Sequence, residues 1–196
     1  MNSSKNKGDR GEREVLALFE ARLADHLVPG AQRGKNAGQP HDRGDLFVLD
    51  GFAVQVKYFK ASNLGGAVRQ AAYGAAAQAA NGFKDYGVGM SIIEGARKDS
   101  VRVLASYTPD MALVIPGVDP VADFGTISKL KAWIADDVGP HGYRTHPRRN
   151  RWATLTSDPV TIVGTFEAFE ASYRALTESH TLPMPTHAKG DTLEFV

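Results

Sequence analysis

Apolar residues recur near the start of the chain with a helical period. Val15, Leu16, Phe19, Leu23 and Leu27 fall on one stripe at 3.6 residues per turn, which predicts a helix over residues 11–27. Glu12 lies in the middle of that stripe and Arg13 and Glu14 point elsewhere, so Glu12 is the acid expected to look inward from the first helical turn. An inward carboxylate is costly unless something pairs with it. The plainer alternative is a helix-start acid favoured by the helix dipole.

The period then changes to two. Residues 45–49 and 52–58 read as strands separated by Asp50-Gly51, a strong hairpin signal. Loop length decides which side chains share a face. A two-residue turn pairs Asp45 with Val56 and sends it away from Gln55, whereas a three-residue loop over 49–51, with Gly51 left-handed, pairs Asp45 with Gln55. We expect the three-residue loop, or else a bend at Gly44-Asp45 that swings the carboxylate round. Gln55 and Lys57 share a face in either case, because side chains alternate along a strand.

Residues 62–81 read as an alanine-rich helix, capped by Ser62 or Asn63 and stopped at Asn81-Gly82, with Arg69, Gln70, Tyr73 and Gln78 as its larger groups. Residues 87–93 follow as a strand, and strand, helix, strand over this length implies a crossover and a parallel pair. Between helix and hairpin, residues 29–43 are rich in Gly, Asn, Gln and basic residues and read as a flexible loop. Further on, 101–106 and 111–115 are expected strands, and Ile127, Leu130, Ile134 and Val138 predict a helix from about Phe124. Residues 159–164 and 166–176 read as a final strand and helix, and from Ser179 the composition is that of a C-terminal arm. No internal repeat is found.

Composition narrows the picture modestly. The 196 residues, 42% of them hydrophobic, are enough for one substantial core with an appendage. The absence of cysteine fits a reducing cytoplasm, and no apolar run or signal-peptide core argues for a membrane or export, so a cytoplasmic chain without a membrane partner is expected. A net charge of +1 excludes no partner class, since a DNA binder needs local rather than global positive charge.

The candidate chemistry lies in the order Glu12, Asp45, Gln55, Lys57, polar groups set in or beside apolar elements. Hard Mg²⁺ selects oxygen ligands, keeps several waters and is commonly held by one or two carboxylates together with substrate phosphate. A neighbouring lysine can stabilise the anion formed in phosphodiester hydrolysis. The run Lys7-Gly8-Asp9-Arg10-Gly11-Glu12-Arg13-Glu14, then Gly44-Asp45, then Gln55-Val56-Lys57, resembles the PD-(D/E)XK nuclease superfamily, and within it the archaeal Holliday-junction resolvases and resolvase-like proteins of actinobacterial phages. The resemblance covers roughly the first 95 residues.

That resemblance implies an α/β fold, with a restriction-endonuclease-like αβββαβ core and mixed sheet and a C-terminal α/β elaboration. The nuclease core it implies is residues 1–95; beyond it the residues themselves read as an elaboration or insertion (96–158) with a basic loop at 142–152, a strand and helix (159–178) that either complete the core or form a separate domain, and the arm (179–196). The resemblance also implies Mg²⁺-dependent endodeoxyribonuclease activity, with Mn²⁺ as a substitute, on branched DNA by a homodimer, in the host cytoplasm if the chain is phage-encoded. Asp45 and the carbonyl oxygen of Gln55 would hold the metal with Glu12, and Lys57 would orient the nucleophile or neutralise developing charge. One departure stands out, because the neutral Gln55 occupies the position of an acidic ligand, as in restriction enzymes resembling the Mrr group. It can still ligate through oxygen, but with one negative charge fewer.

The expected DNA contacts are Lys7, Arg10, Arg13, Arg33, Lys35 and Arg43 around the first motifs, joined by Arg144, Arg148, Arg149 and Arg151 in the basic loop. That loop has four arginines and no acid, and Tyr143 or Trp152 would either stack on an unpaired base or support the loop. Arg97 and Lys98 would extend the basic surface. His41 is a candidate for contact with the scissile phosphate or an ordinary surface histidine, and His141 and His146 lack the third ligand a zinc site needs. Two other readings stay open: a restriction or repair endonuclease on ordinary duplex, and a non-catalytic DNA-binding or structural protein with a degenerate nuclease fold.

Overall fold

The computed structural model describes residues 3–33, 45–95, 102–135 and 151–180. In chain order these form α1 (Ser3–Arg22), β1 (Leu27–Arg33), β2 (Leu46–Leu49), β3 (Phe52–Phe59), α2 (Leu64–Gly82), β4 (Tyr86–Ile93), β5 (Val103–Tyr107), α3 (Pro109–Leu113), β6 (Pro120–Phe124), α4 (Ile127–Ala135), β7 (Trp152–Leu155), β8 (Thr161–Thr165) and α5 (Phe166–His180). The eight strands make one mixed sheet in the order β1-β2-β3-β4-β5-β8-β7-β6, with β3/β4 and β6/β7 parallel and the other neighbours antiparallel. The chain is therefore an α/β protein.

Both faces of the sheet are covered. On one, Val15, Phe19 and Leu23 of α1 and Phe166, Phe169 and Tyr173 of α5 meet Val54, Val56, Val88, Met90 and Ile92. On the other, α2 and α4 pack through Leu64, Ala67, Val68, Leu130 and Ile134 against Leu104, Ala153, Leu155 and Val163. The alternation of strand residues sorts these two sets. The helix α2 lies unusually close to the sheet, because a Cβ on Gly89 would come within 2.4 Å of the Ala71 carbonyl carbon and one on Gly87 within 2.4 Å of the Ala75 oxygen. Glycine in β4 and alanine at 67, 71, 72, 75 and 79 remove the side-chain bulk that would hold the layers apart.

Several expectations need correction. The N-terminal helix starts at Ser3 rather than Gly11, so Glu12 sits within the helix and not in its first turn. Apolar spacing marks only the turns that touch the sheet, and the polar turns before them leave no such trace. Leu27, read as the end of the helix, instead opens β1 and pairs with Leu49, and β1 runs on through residues 29–33 of the stretch read as loop. Pro29 and Gly30, the latter at φ +76°, disguise this strand; an edge position and the register shift between Leu27 and Gln32 accommodate both.

Residues 111–115, expected as a strand, belong to the α3 region instead. Thr108 caps that short helix by accepting from the Met111 N–H, and Pro109 stands in its first turn. Neither β6 nor β7 was foreseen from the sequence. The hairpin, the parallel β3/β4 pair and the α2, α4, β8 and α5 elements follow the pattern of the sequence closely.

Candidate functional site

The hairpin geometry is the foundation of the site. Leu46 pairs with Val54, the register expected of the three-residue connection, and the Asp45 N–H donates to the Val54 carbonyl at 2.9 Å. Gly51 adopts φ +70°, and its N–H is held by Asp50 Oδ1 at 3.0 Å. One residue of slip would have put Asp45 on the other face.

Asp45 is 8% exposed, and its Oδ2 accepts from the Val56 N–H at 2.7 Å and from Gln55 Nε2. Gln55 in turn accepts at Oε1 from Gln78 Nε2 of α2 at 2.6 Å. The amide of Gln55 therefore lies beneath the aspartate, nitrogen toward Asp45 and oxygen toward α2. This differs from the expectation that its carbonyl oxygen would join Asp45 in holding a metal. The reason is elementary: an ionised carboxylate only accepts, so an amide packed against it turns its nitrogen inward.

Beyond Val54, the strand β3 runs on past the start of β2, and a cleft of about 640 Å³ opens there. Glu12, Asp45 and Lys57 all line it, brought from the helix α1, the start of β2 and the strand β3. Gln55 touches this cleft only through Asp45. Lys7, Lys60 and Asn63 complete its polar wall with Glu94, and Lys7 lies 3.4 Å from the Glu94 carboxylate. Tyr58 forms part of the same wall, with the Arg10 guanidinium 5.9 Å from its ring centre.

Of the three cleft carboxylates, Glu94 is engaged by Lys7, while Glu12 and Asp45 offer oxygen, the donor that a hard cation such as Mg²⁺ takes, and the open cleft leaves room for retained waters and a phosphate. Among the described residues, no group of three or more His, Asp or Glu side chains is gathered for a metal. A cation here would thus rest on Glu12 and Asp45, with Gln55 as a third donor only if its amide turned over.

The expected DNA-contact residues divide sharply. Lys7 and Arg10 flank the cleft, while Arg13 is exposed on α1 and donates from Nε to the Asp9 carbonyl at 3.1 Å. Arg151 is exposed just before β7, and Arg33 ends β1. Lys35, His41, Arg43, Arg97, Lys98, His141, Tyr143, Arg144, His146, Arg148 and Arg149 lie outside the described residues, as do Val138 and the arm from residue 181.

Trp152 is not available to stack on a base. It is 1% exposed in β7, packs on Tyr107 with ring centres 5.2 Å apart, and donates from Nε1 to Ser172 Oγ at 3.1 Å. Its position at the end of the basic run concealed that it belongs to a core strand.

Sequence reasoning did not assign Lys60, Asn63 and Glu94 to the cleft, and it left Gln78 as one of several large groups on a helix. The signal for Gln78 was its spacing, since it continues the buried Ala71 and Ala75 row and a polar residue there demands a partner.

No family model, curated protein or solved structure matches the chain. No helix of the described residues is long and apolar enough to cross a membrane.

Proposed function

We propose that the protein is a metal-dependent DNA endonuclease with a restriction-endonuclease-like core. The observation that carries this reading is the meeting of Glu12, Asp45 and Lys57, from three separate elements, on one open cleft. The element order α1, β1-β2-β3, α2, β4, with β3 and β4 parallel, supports it, since this is the αβββαβ order that the motif resemblance implies.

The roles follow from the chemistry of the groups. Glu12 and Asp45 bind the cation, which when present supplies a Lewis acid and an activated water. Asp45 is held in place by the Val56 N–H, so its carboxylate needs no reorganisation to serve. Lys57 places a positive charge beside the scissile phosphate and offsets charge that develops on its oxygens. Lys7, Arg10 and Lys60 around the rim bind flanking phosphates. Preference for branched DNA and action as a homodimer rest on the resemblance to the resolvases.

One observation favours a second reading. The Gln55 oxygen faces α2 and not the cleft, as it would in a protein that binds DNA without cutting it. Cleavage assays separate the two. Wild type, Asp45→Asn and Lys57→Ala are compared with Mg²⁺ or Mn²⁺ on junction, flap, linear duplex and single-stranded DNA. We expect each variant to lose cleavage by about 10²-fold or more while retaining DNA affinity. Cleavage unchanged in both variants refutes the assignment, and DNA affinity with no cleavage by wild type establishes the second reading.

A further inference from the structure

Glu94 enters the cleft as a carboxylate among ammonium groups. It directly follows β4, and its N–H donates to the Phe59 carbonyl at 2.8 Å, so its backbone is tied to the end of β3 beside Lys60. The side chain shares the cleft wall with Lys7, Lys57 and Lys60, and its Oε2 lies 3.4 Å from Lys7 Nζ on α1. The two partners differ in freedom: Glu94 stands on a fixed strand end, whereas Lys7 carries its charge on a flexible four-carbon stem. With 47% of the Lys7 side chain and 32% of that of Glu94 exposed, a phosphate oxygen arriving from solvent can reach the ammonium without any change in the fold.

A carboxylate and a phosphate offer a cation the same thing, anionic oxygen that accepts its N–H groups. Glu94 therefore occupies on Lys7 the place a DNA phosphate would take. We infer that Glu94 is an internal competitor for Lys7: it is displaced when a strand enters the cleft, and it recaptures the ammonium as the strand leaves. This rests on the DNA-binding reading of the cleft and requires no metal. An exposed pair of this kind shifts an equilibrium by no more than about five-fold, small beside the combined hold of Lys7, Arg10, Lys57 and Lys60 on a backbone. Glu94 thus loosens DNA without preventing its entry. It also lowers the salt dependence of binding, because the released carboxylate draws a cation from solution while the phosphate gives one up.

The test measures binding of labelled duplex and junction DNA to the full chain by fluorescence anisotropy, without divalent metal so that no cleavage intervenes. Glu94→Gln frees Lys7 and is expected to tighten binding about two- to five-fold in low salt. The slope of log K on log salt should steepen by up to about 0.9, the contribution of one phosphate contact. Lys7→Gln should weaken binding. On the Lys7→Gln background, Glu94→Gln should give little tightening, since no ammonium remains to be freed.

Equal tightening on both backgrounds assigns the effect to simple repulsion between Glu94 and DNA and overturns the inference, as does no tightening on the native background. Loss of Mg²⁺ binding in Glu94→Gln, measured by calorimetry, makes Glu94 a cation ligand and overturns it too. In each of these cases, DNA binding that Lys7→Gln weakens leaves the reading of the cleft standing. Wild type that binds neither DNA overturns that reading and the inference together. The unaltered chain supplies a check that holds even if a variant fails to fold: with ¹³C labelling, the Glu94 carboxyl resonance should move when DNA saturates the cleft, and an unmoved resonance overturns the competition.

Discussion

Adding one methyl group at Gly89 tests the close approach of α2 to the sheet, on which the position of Gln78 depends. An alanine Cβ there would lie 2.4 Å from the Ala71 carbonyl carbon, 2.6 Å from Ala71 Cβ and 2.6 Å from the Ala72 nitrogen. Two of these neighbours are backbone, so no rotamer change relieves the clash and the helix itself must retreat. Overpacking typically costs about 1–3 kcal/mol where side chains can adjust, so Gly89→Ala is expected to cost at least about 3 kcal/mol.

At roughly 2–4 °C per kcal/mol for a chain of this size, the melting temperature should fall by about 6–12 °C or more. Gly66→Ala is the control. It lies in the same helix, its Cβ would meet nothing within 4 Å, and it should stabilise by about 0.4–1 kcal/mol through the loss of chain entropy in the unfolded state. Urea unfolding of both variants decides the matter. A loss below about 1 kcal/mol for Gly89→Ala would refute the packing of α2 on β4 described above.

Three further predictions concern the core and its margins. Burial holds the Tyr107 phenol well above its usual value, and its hydroxyl has no hydrogen-bond partner among the described residues. Tyr107→Phe should therefore be neutral or stabilising near neutrality. Because the folded state keeps this proton longer than the unfolded one, wild type should lose stability relative to the variant as pH rises above about 10, as chemical denaturation at pH 8 and 11 would reveal. In a Trp133→Phe variant, Trp152 emission should be blue-shifted and unmoved by single-stranded DNA, whereas quenching on titration would mean that the indole reaches bases after all. Glu14 accepts a two-pronged contact from Arg102, which ties α1 to the residue entering β5; Glu14→Gln should cost about 1 kcal/mol or less in low salt and less still in high salt, measured by paired thermal melts.

How far the sequence could be read differs from element to element. The hairpin was legible down to its register, because Asp50-Gly51 and the alternation on either side leave few ways to close the loop while keeping the apolar face buried. The helix α5 was legible for a similar reason, its apolar spacing being undisguised by turn residues. The edge strand β1 was not, since its Pro and Gly argue for a turn and only pairing with β2 makes it a strand. Nor was β7, whose Trp152 reads as the end of a basic loop until β8 is laid beside it. Local pattern reports a residue's own preferences, and long-range pairing overrides them where a neighbouring strand offers hydrogen bonds.

The candidate site divides in the same way. Residue types and their order along the chain were enough to single out Glu12, Asp45, Gln55 and Lys57, because carboxylates and a lysine in apolar settings are costly without a partner. Tertiary structure alone decided that three of them share an open cleft while Gln55 lies beneath it, bound to a glutamine 23 residues further on. The direction of a buried amide depends on which donors and acceptors surround it, and those neighbours are brought together only by the packing of a helix onto a sheet.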